Sequence, residues 1–266
     1  MKPVINRSRL VVIFGIGAIA FGCAGTDADS NELVGENRQA QSTNPDIELC
    51  LNSGMNVIIG TSNDDVLTGT PGNDCIVGLG GQDRINAGGG RDIVLGGDGN
   101  DVIDGGPGDD FSLQGGPGQD ILSGGDGSDT VQGNDGDDQI FGGPGDDFLL
   151  QGGTGQDRIF GQAGDDVVLG DDGDDQVSGD DGDDAVFGGS GNDLVSGGAG
   201  NDDLSTAMGS GEAGDDVLLG GPGNDNVVDC IGHNRLDGGP DTDLCVFSPQ
   251  NSSGVNCETI SSTNCS

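Results

Sequence analysis

Between Gly60 and Val246 the chain repeats one short pattern of polar and apolar positions. Six residues dominated by glycine, aspartate, asparagine and proline precede a triplet whose middle residue is almost always aliphatic. The period is nine, as in GGDGNDVID from Gly96 and GGPGQDILS from Gly115. It recurs in 20 units, with an insertion at 206–210 and a degenerate copy, LNSGMNVII, at 51–59. The glycine-rich six read as a turn, because glycine supplies positive φ and close backbone approach without a steric cost. The triplet reads as a minimal strand, and period-two alternation turns only its middle residue inward. Two units then make an 18-residue coil with two strands, two turns and a thin aliphatic interior. Leu67, Ile76, Ile85, Val94, Ile103, Leu122, Val131 and Ile140 are the predicted core.

The flanking triplet positions predict the two outer faces. On one face they read Cys75 and Val77, Ile93 and Leu95, Phe111 and Leu113, Thr130 and Gln132, Phe148 and Leu150, Val167 and Leu169, Ala185 and Phe187. This mostly apolar face is expected to be exposed and to meet a second copy or an envelope partner through Ile93, Leu95, Val167, Leu169 and Phe187, since so large a patch is unusual on a monomer. The alternative is that strand propensity alone accounts for it. Two units, at 105–114 and 142–151, hold ten residues. A bulge there would turn Phe111 and Leu113 inward and Ser112 out.

Charge changes the picture. The 266 residues carry 47 acids, 8 bases, 57 glycines and 3% aromatics, for a formal net charge of −39. So little apolar bulk with so much charge ordinarily means disorder. It also excludes nucleic acid as a partner, since that binding needs Lys and Arg to displace counterions. Units n and n+2 stack on one edge, which brings their sixth-position aspartates (Asp65, Asp83 and Asp101, for example) to a strand spacing of about 4.8 Å. Like charges that close call for a cation, and Ca²⁺ takes six to eight oxygens at about 2.3–2.6 Å.

The in-phase GGxGxDxUx units resemble the nonapeptide of the RTX, or haemolysin-type calcium-binding, family over about 190 residues. The resemblance implies an all-β fold: a calcium-loaded parallel β-roll (β-solenoid) of about ten coils, two nonapeptides per coil, spanning 51–246. It implies several Ca²⁺ ions between successive turns, held by turn carbonyls and sixth-position carboxylates. Those are Asp65, Asp74, Asp83, Asp92, Asp101, Asp110, Asp120, Asp129, Asp138, Asp147, Asp157, Asp166, Asp175, Asp184, Asp193, Asp202, Asp216 and Asp225. Asn234 and Asp241 depart from the pattern and put the final coils in question. The thin core does not offset the entropy of ordering so long a backbone, so binding and folding are expected to be one event.

Residues 1–22 read as a signal peptide, with Lys2, Arg7 and Arg9 ahead of an apolar run too short for a comfortable membrane span. The segment Ala20-Phe21-Gly22-Cys23 resembles a lipoprotein lipobox, which implies a lipid anchor on Cys23. Ordinary cleavage after Ala18-Ile19-Ala20 or Ala20-Phe21-Gly22 is the alternative. Loss of residues 1–22 leaves 5 bases against the 47 acids, a net of −42. Residues 23–50 are expected to form a flexible tether and 247–266 a disulfide-rich cap. Beyond Cys23 stand six cysteines, which fits export to an oxidising compartment. Cys50 is expected to pair with Cys75, with Cys230, Cys245, Cys257 and Cys265 left open among themselves.

No catalytic motif accompanies the array. HExxH, GxSxG and the P-loop are absent, and the one histidine, His233, occupies a turn position. The expectation is a non-enzymatic calcium-binding structural or interaction module, outside the cell or on the outer membrane as a lipoprotein, that touches the membrane only through its lipid. A calcium-buffering or matrix protein, and a non-catalytic remnant of an RTX toxin or hydrolase, are the alternatives.

Overall fold

The computed structural model describes residues 10–12, 44–206, 214–229, 232–247, 253–257 and 259–261. Over these residues the chain winds as a parallel β-solenoid. Odd and even units alternate between two parallel sheets, of 13 and 11 strands among the described residues. Each strand pairs with the strands one coil before and after it. Val94, for instance, stands in register between Ile76 and Leu113. The middle residue of every triplet points between the sheets, so Leu67, Ile76, Ile85, Val94, Ile103, Leu122, Val131 and Ile140 lie in one continuous buried column running on to Leu236 and Cys245. The β-roll expected from the repeat is therefore observed.

Four features depart from the sequence expectation. Residues 45–50, assigned to the tether, and 51–53, assigned to the roll, form one helix, Pro45–Ser53. Asn44 caps it by accepting a hydrogen bond from Asp46 N (2.8 Å), Pro45 opens its first turn, and Gly54 ends it at φ 79°.

That helix corrects the second expectation. Ile47 and Cys50 on its buried side pack over Val57, Ile59, Cys75, Val77, Ile93 and Leu95. Ile93 and Leu95, expected on an open interface, are 7% and 8% exposed. The apolar stripe at this end of the 13-stranded sheet is thus an internal contact. Val167, Leu169 and Phe187 remain half-buried beyond the helix.

The third concerns the ten-residue units. The extra residue is the phenylalanine itself. Ser112 pairs with Ile93 and Leu113 with Val94, so Leu113 and Leu150 enter the core while Phe111 and Phe148 stand outside at 57% and 76% exposure. A bulge turns Leu113 inward as expected, but Phe111 stays out, with the Arg91 guanidinium 4.9 Å above its ring.

The fourth is at the C-terminal end. Cys245, at a triplet centre, is fully buried and bonded to Cys257, and strands Ser253–Val255 and Thr259–Ser261 carry the two sheets past the last repeat. The Cys50–Cys75 bond matches the expected pairing. Cys230, Cys265, most of the 206–210 insertion, Cys23 and most of the signal segment lie outside the described residues. Within the latter, Leu10–Val12 is a strand in register with residues 57–59.

Candidate metal centres

All eighteen predicted aspartates are buried, as is Asp243, which holds position six of the last unit and was missed by the sequence reading; they stand in two files, one along each edge of the roll. Each carboxylate uses its two oxygens differently. From Asp65 to Asp225, the backbone N–H of one sixth-position residue donates to Oδ1 of the sixth-position residue one coil on. Examples are Asp65 to Asp83 (2.8 Å), Asp83 to Asp101 (2.8 Å), Asp110 to Asp129 (2.7 Å) and Asp202 to Asp225 (3.0 Å). The ladder ties adjacent coils through their side chains and satisfies a backbone donor that the sheet does not reach.

The second oxygen has a different fate. At fifteen of the eighteen, all except Asp65, Asp74 and Asp216, Oδ2 is buried with no hydrogen-bond partner among the described residues. A buried polar atom left unmatched costs about 1–3 kcal/mol, more if charged, and native proteins hold few of them. Fifteen in two regular files recur too evenly to be scattered packing defects, and they are the candidate metal ligands.

What faces these oxygens is backbone carbonyl. A Cβ built on Gly96, the first residue of its unit, would stand 2.5 Å from Asp101 Oδ2 and 2.5 Å from the Gly115 carbonyl oxygen. At Gly220 the corresponding distances are 2.4 Å to Asp225 Oδ2 and 2.4 Å to the Gly238 carbonyl. Glycine is needed there because a side chain would fill the space between the oxygens. That space lies at the bond length of a Ca²⁺–oxygen contact, about 2.3–2.6 Å. Among the described residues no three His, Cys, Asp or Glu side chains converge as a metal cluster. Any cation between coils is therefore completed by carbonyls, a donor set of hard oxygens that suits calcium better than a transition metal.

Burial sets the electrostatics. It pushes the Asp110, Asp120, Asp138, Asp147 and Asp175 carboxyls up to about 7, and those of Asp83, Asp92, Asp129, Asp157, Asp166, Asp184, Asp202, Asp216 and Asp225 up to about 6. Asp101 and Asp193 are raised by the same cause. The accepted N–H pulls each value down in part, and at most of them neighbouring carboxylates add to the rise. The carboxylates thus prefer a proton or a cation to bare charge.

Position five supplies a second ladder that the sequence reading passed over. Gln82 N donates to Asp64 Oδ1 (2.9 Å), Asp183 N to Asp165 Oδ1 (2.9 Å) and Asn201 N to Asp183 Oδ1 (2.7 Å). Here the later coil donates to the earlier, the reverse of position six. The recurrent Asp or Asn at position five was the signal that could have revealed it, since both accept hydrogen bonds from nearby turn N–H groups.

Fold and site together define a parallel β-roll whose coils are separated by carboxylate–carbonyl cradles. The family model described as RTX calcium-binding nonapeptide repeat (4 copies) matches residues 52–85, 77–111, 114–149, 150–177, 169–204, 178–211 and 210–245. The chain belongs to the RTX calcium-binding nonapeptide repeat family. A comparison with curated proteins finds no match.

Proposed function

We propose that the protein is an exported module whose roll folds on binding Ca²⁺ outside the cell, anchored to the bacterial surface through Cys23 and serving a structural or interaction role without catalysis. The observation that carries this reading is the set of fifteen buried, unpartnered Oδ2 atoms. Ligands to each ion are such an oxygen and the first-position glycine carbonyls of the neighbouring coil, as at Asp101 and Gly115. Among the described residues no basic side chain takes the place of a cation at these aspartates: the ion pairs His233–Asp215 and Arg235–Asp237 involve none of the eighteen. Bound calcium supplies the positive charge that lets the carboxylates ionise while buried. Export is supported by the Cys50–Cys75 and Cys245–Cys257 bonds, which persist in oxidising compartments.

Far-UV circular dichroism of the mature protein during a calcium titration tests the reading. A cooperative gain of β structure from a chelated, largely unfolded chain is expected; equal β content with and without the ion would sink it. For the anchor, Cys23→Ser is expected to abolish detergent partitioning and the lipid mass on residue 23.

A further inference from the structure

We propose that the roll closes without calcium at its first coils and, at its far end, along the edge that carries Asp229 and Asn234, so that the ion array is bounded at those places. The inference rests on the calcium-binding reading of those central coils and concerns the places where the cradle chemistry changes.

At the first coils, position two is threonine. Thr70 donates to Asp74 Oδ2 through both its backbone N (2.5 Å) and its Oγ1 (2.9 Å), and Asn56 Nδ2 donates to Asp74 Oδ1. Both oxygens of that carboxylate are satisfied by the protein. Thr61 does the same for Asp65 Oδ2, from N (2.6 Å) and Oγ1 (2.9 Å). Within the array, where position two is mostly glycine, the corresponding oxygens are bare. A carboxylate already holding two donors on one oxygen has less charge to offer a cation and would have to break those bonds to take one.

At the far end the exchange is different in kind. The first-position glycine is replaced by Asp229 and the sixth-position aspartate by Asn234, both buried. Since a Cβ at position one points into the cradle, the Asp229 side chain starts where an ion would stand. There its Oδ2 accepts a hydrogen bond from Asn234 Nδ2. Asn234 keeps the coil-to-coil ladder, because its Oδ1 still accepts from Asp216 N (2.7 Å). The two substitutions are complementary: carboxylate and donor have traded places, and an amide NH₂ does the work of the cation. A disulfide fastens each of these ends as well, Cys50–Cys75 at one and Cys245–Cys257 at the other. The ends thus have covalent and hydrogen-bonded closure of their own, and each presents a formed coil on which calcium can add the next.

Two measurements test this. In hydrogen exchange of the wild-type protein in chelator, amides at 57–77 and 227–246 are expected to exchange at least ten-fold more slowly than those at 120–190. In native mass spectrometry at saturating calcium, the double variant Asp229→Gly with Asn234→Asp, which restores the repeat pattern, is expected to hold one ion more than wild type. Uniform exchange along the chain in chelator overturns the proposal, as does an unchanged ion count in a double variant with wild-type circular dichroism. If that variant does not fold, the exchange experiment decides alone. Wild type that binds no calcium at all would instead overturn the reading of the central coils.

Discussion

Stripping calcium at neutral pH leaves buried charge in the roll, and acid is expected to relieve it. Asp110 shows the size of the effect. Its carboxyl has an ordinary value of 3.8 in the unfolded chain and is pushed up to about 7 in the metal-free fold by burial. Below 3.8 both states are protonated and the group is neutral in its effect. Between 3.8 and about 7 the fold holds a proton that the unfolded chain has released, so stability falls as pH rises through that window. Each pH unit costs about 1.4 kcal/mol, or roughly 4 kcal/mol by pH 7, at this one side chain. Asp120, Asp138, Asp147 and Asp175 are raised as far. Several such groups together are of the same order as the roughly 5–15 kcal/mol that stabilises a typical domain. The assay is circular dichroism in chelator from pH 7.5 to pH 3, with sedimentation at each step because the chain nears its isoelectric point of about 4.1. Monomeric protein should gain β signal as pH falls toward 4. With calcium present the sign reverses, since protons then compete with the ion for the same oxygens. A metal-free β signal that is flat, or that weakens toward acid, would refute the reasoning.

Three substitutions probe other parts of the structure. Gly96→Ala places a methyl 2.5 Å from Asp101 Oδ2, so one fewer ion by native mass spectrometry and a higher calcium midpoint are expected. Cys75→Ser unfastens the helix from the sheet and is expected to destabilise the N-terminal coils by about 2–4 kcal/mol, read as faster exchange at 57–95 in calcium. Leu150→Ala empties a fully buried core position and should cost about 2–5 kcal/mol in denaturant melts of the calcium form, whereas Phe148→Ala, at an exposed bulge, should stay within about 0.5 kcal/mol.

The roll was legible because one short pattern states the turn, the strand and the inward residue together, and repetition removes the ambiguity of any single copy. Position six was legible for the same reason: a carboxylate recurring at fixed phase must stack. What escaped depends on contacts the period does not encode. The helix carries ordinary boundary signals in Asn44, Pro45 and Gly54, but at nine residues it falls between a polar leader and a degenerate repeat and was divided between them. Its docking on Ile93 and Leu95 joins segments some forty residues apart, so local alternation rightly placed those side chains outside the sheet without showing what covers them. The phenylalanine bulge was settled by pairing. Once Ser112 is in register with Ile93, Leu113 must face in and the extra residue can only be Phe111. The role of Thr61 and Thr70 likewise needed the distance from hydroxyl to carboxylate, because a single threonine in a polar turn signals nothing by itself.

The division of labour within each aspartate also bears on how the array responds to its ion. Oδ1 is a structural acceptor, holding the N–H of the preceding coil, while Oδ2 faces the cradle. Anything that moves the carboxylate therefore acts on two coil junctions at once, the one it bonds and the one it would bridge by metal. Position five tightens this coupling, because its hydrogen bonds run in the opposite direction along the same edge, so that a coil is gripped from both sides. Repeat proteins whose units meet only their neighbours behave as chains of coupled sites in one dimension, and here the coupling passes through the ligand itself. Loading one cradle joins a carboxylate to the next coil and at the same time fixes the Oδ1 that holds the preceding coil, which prepares the neighbouring cradle. Cooperative folding is the expected consequence, and its sharpness should depend on the length of the two uninterrupted files, Asp83 to Asp193 along one edge and Asp92 to Asp225 along the other, more than on the affinity of any single site.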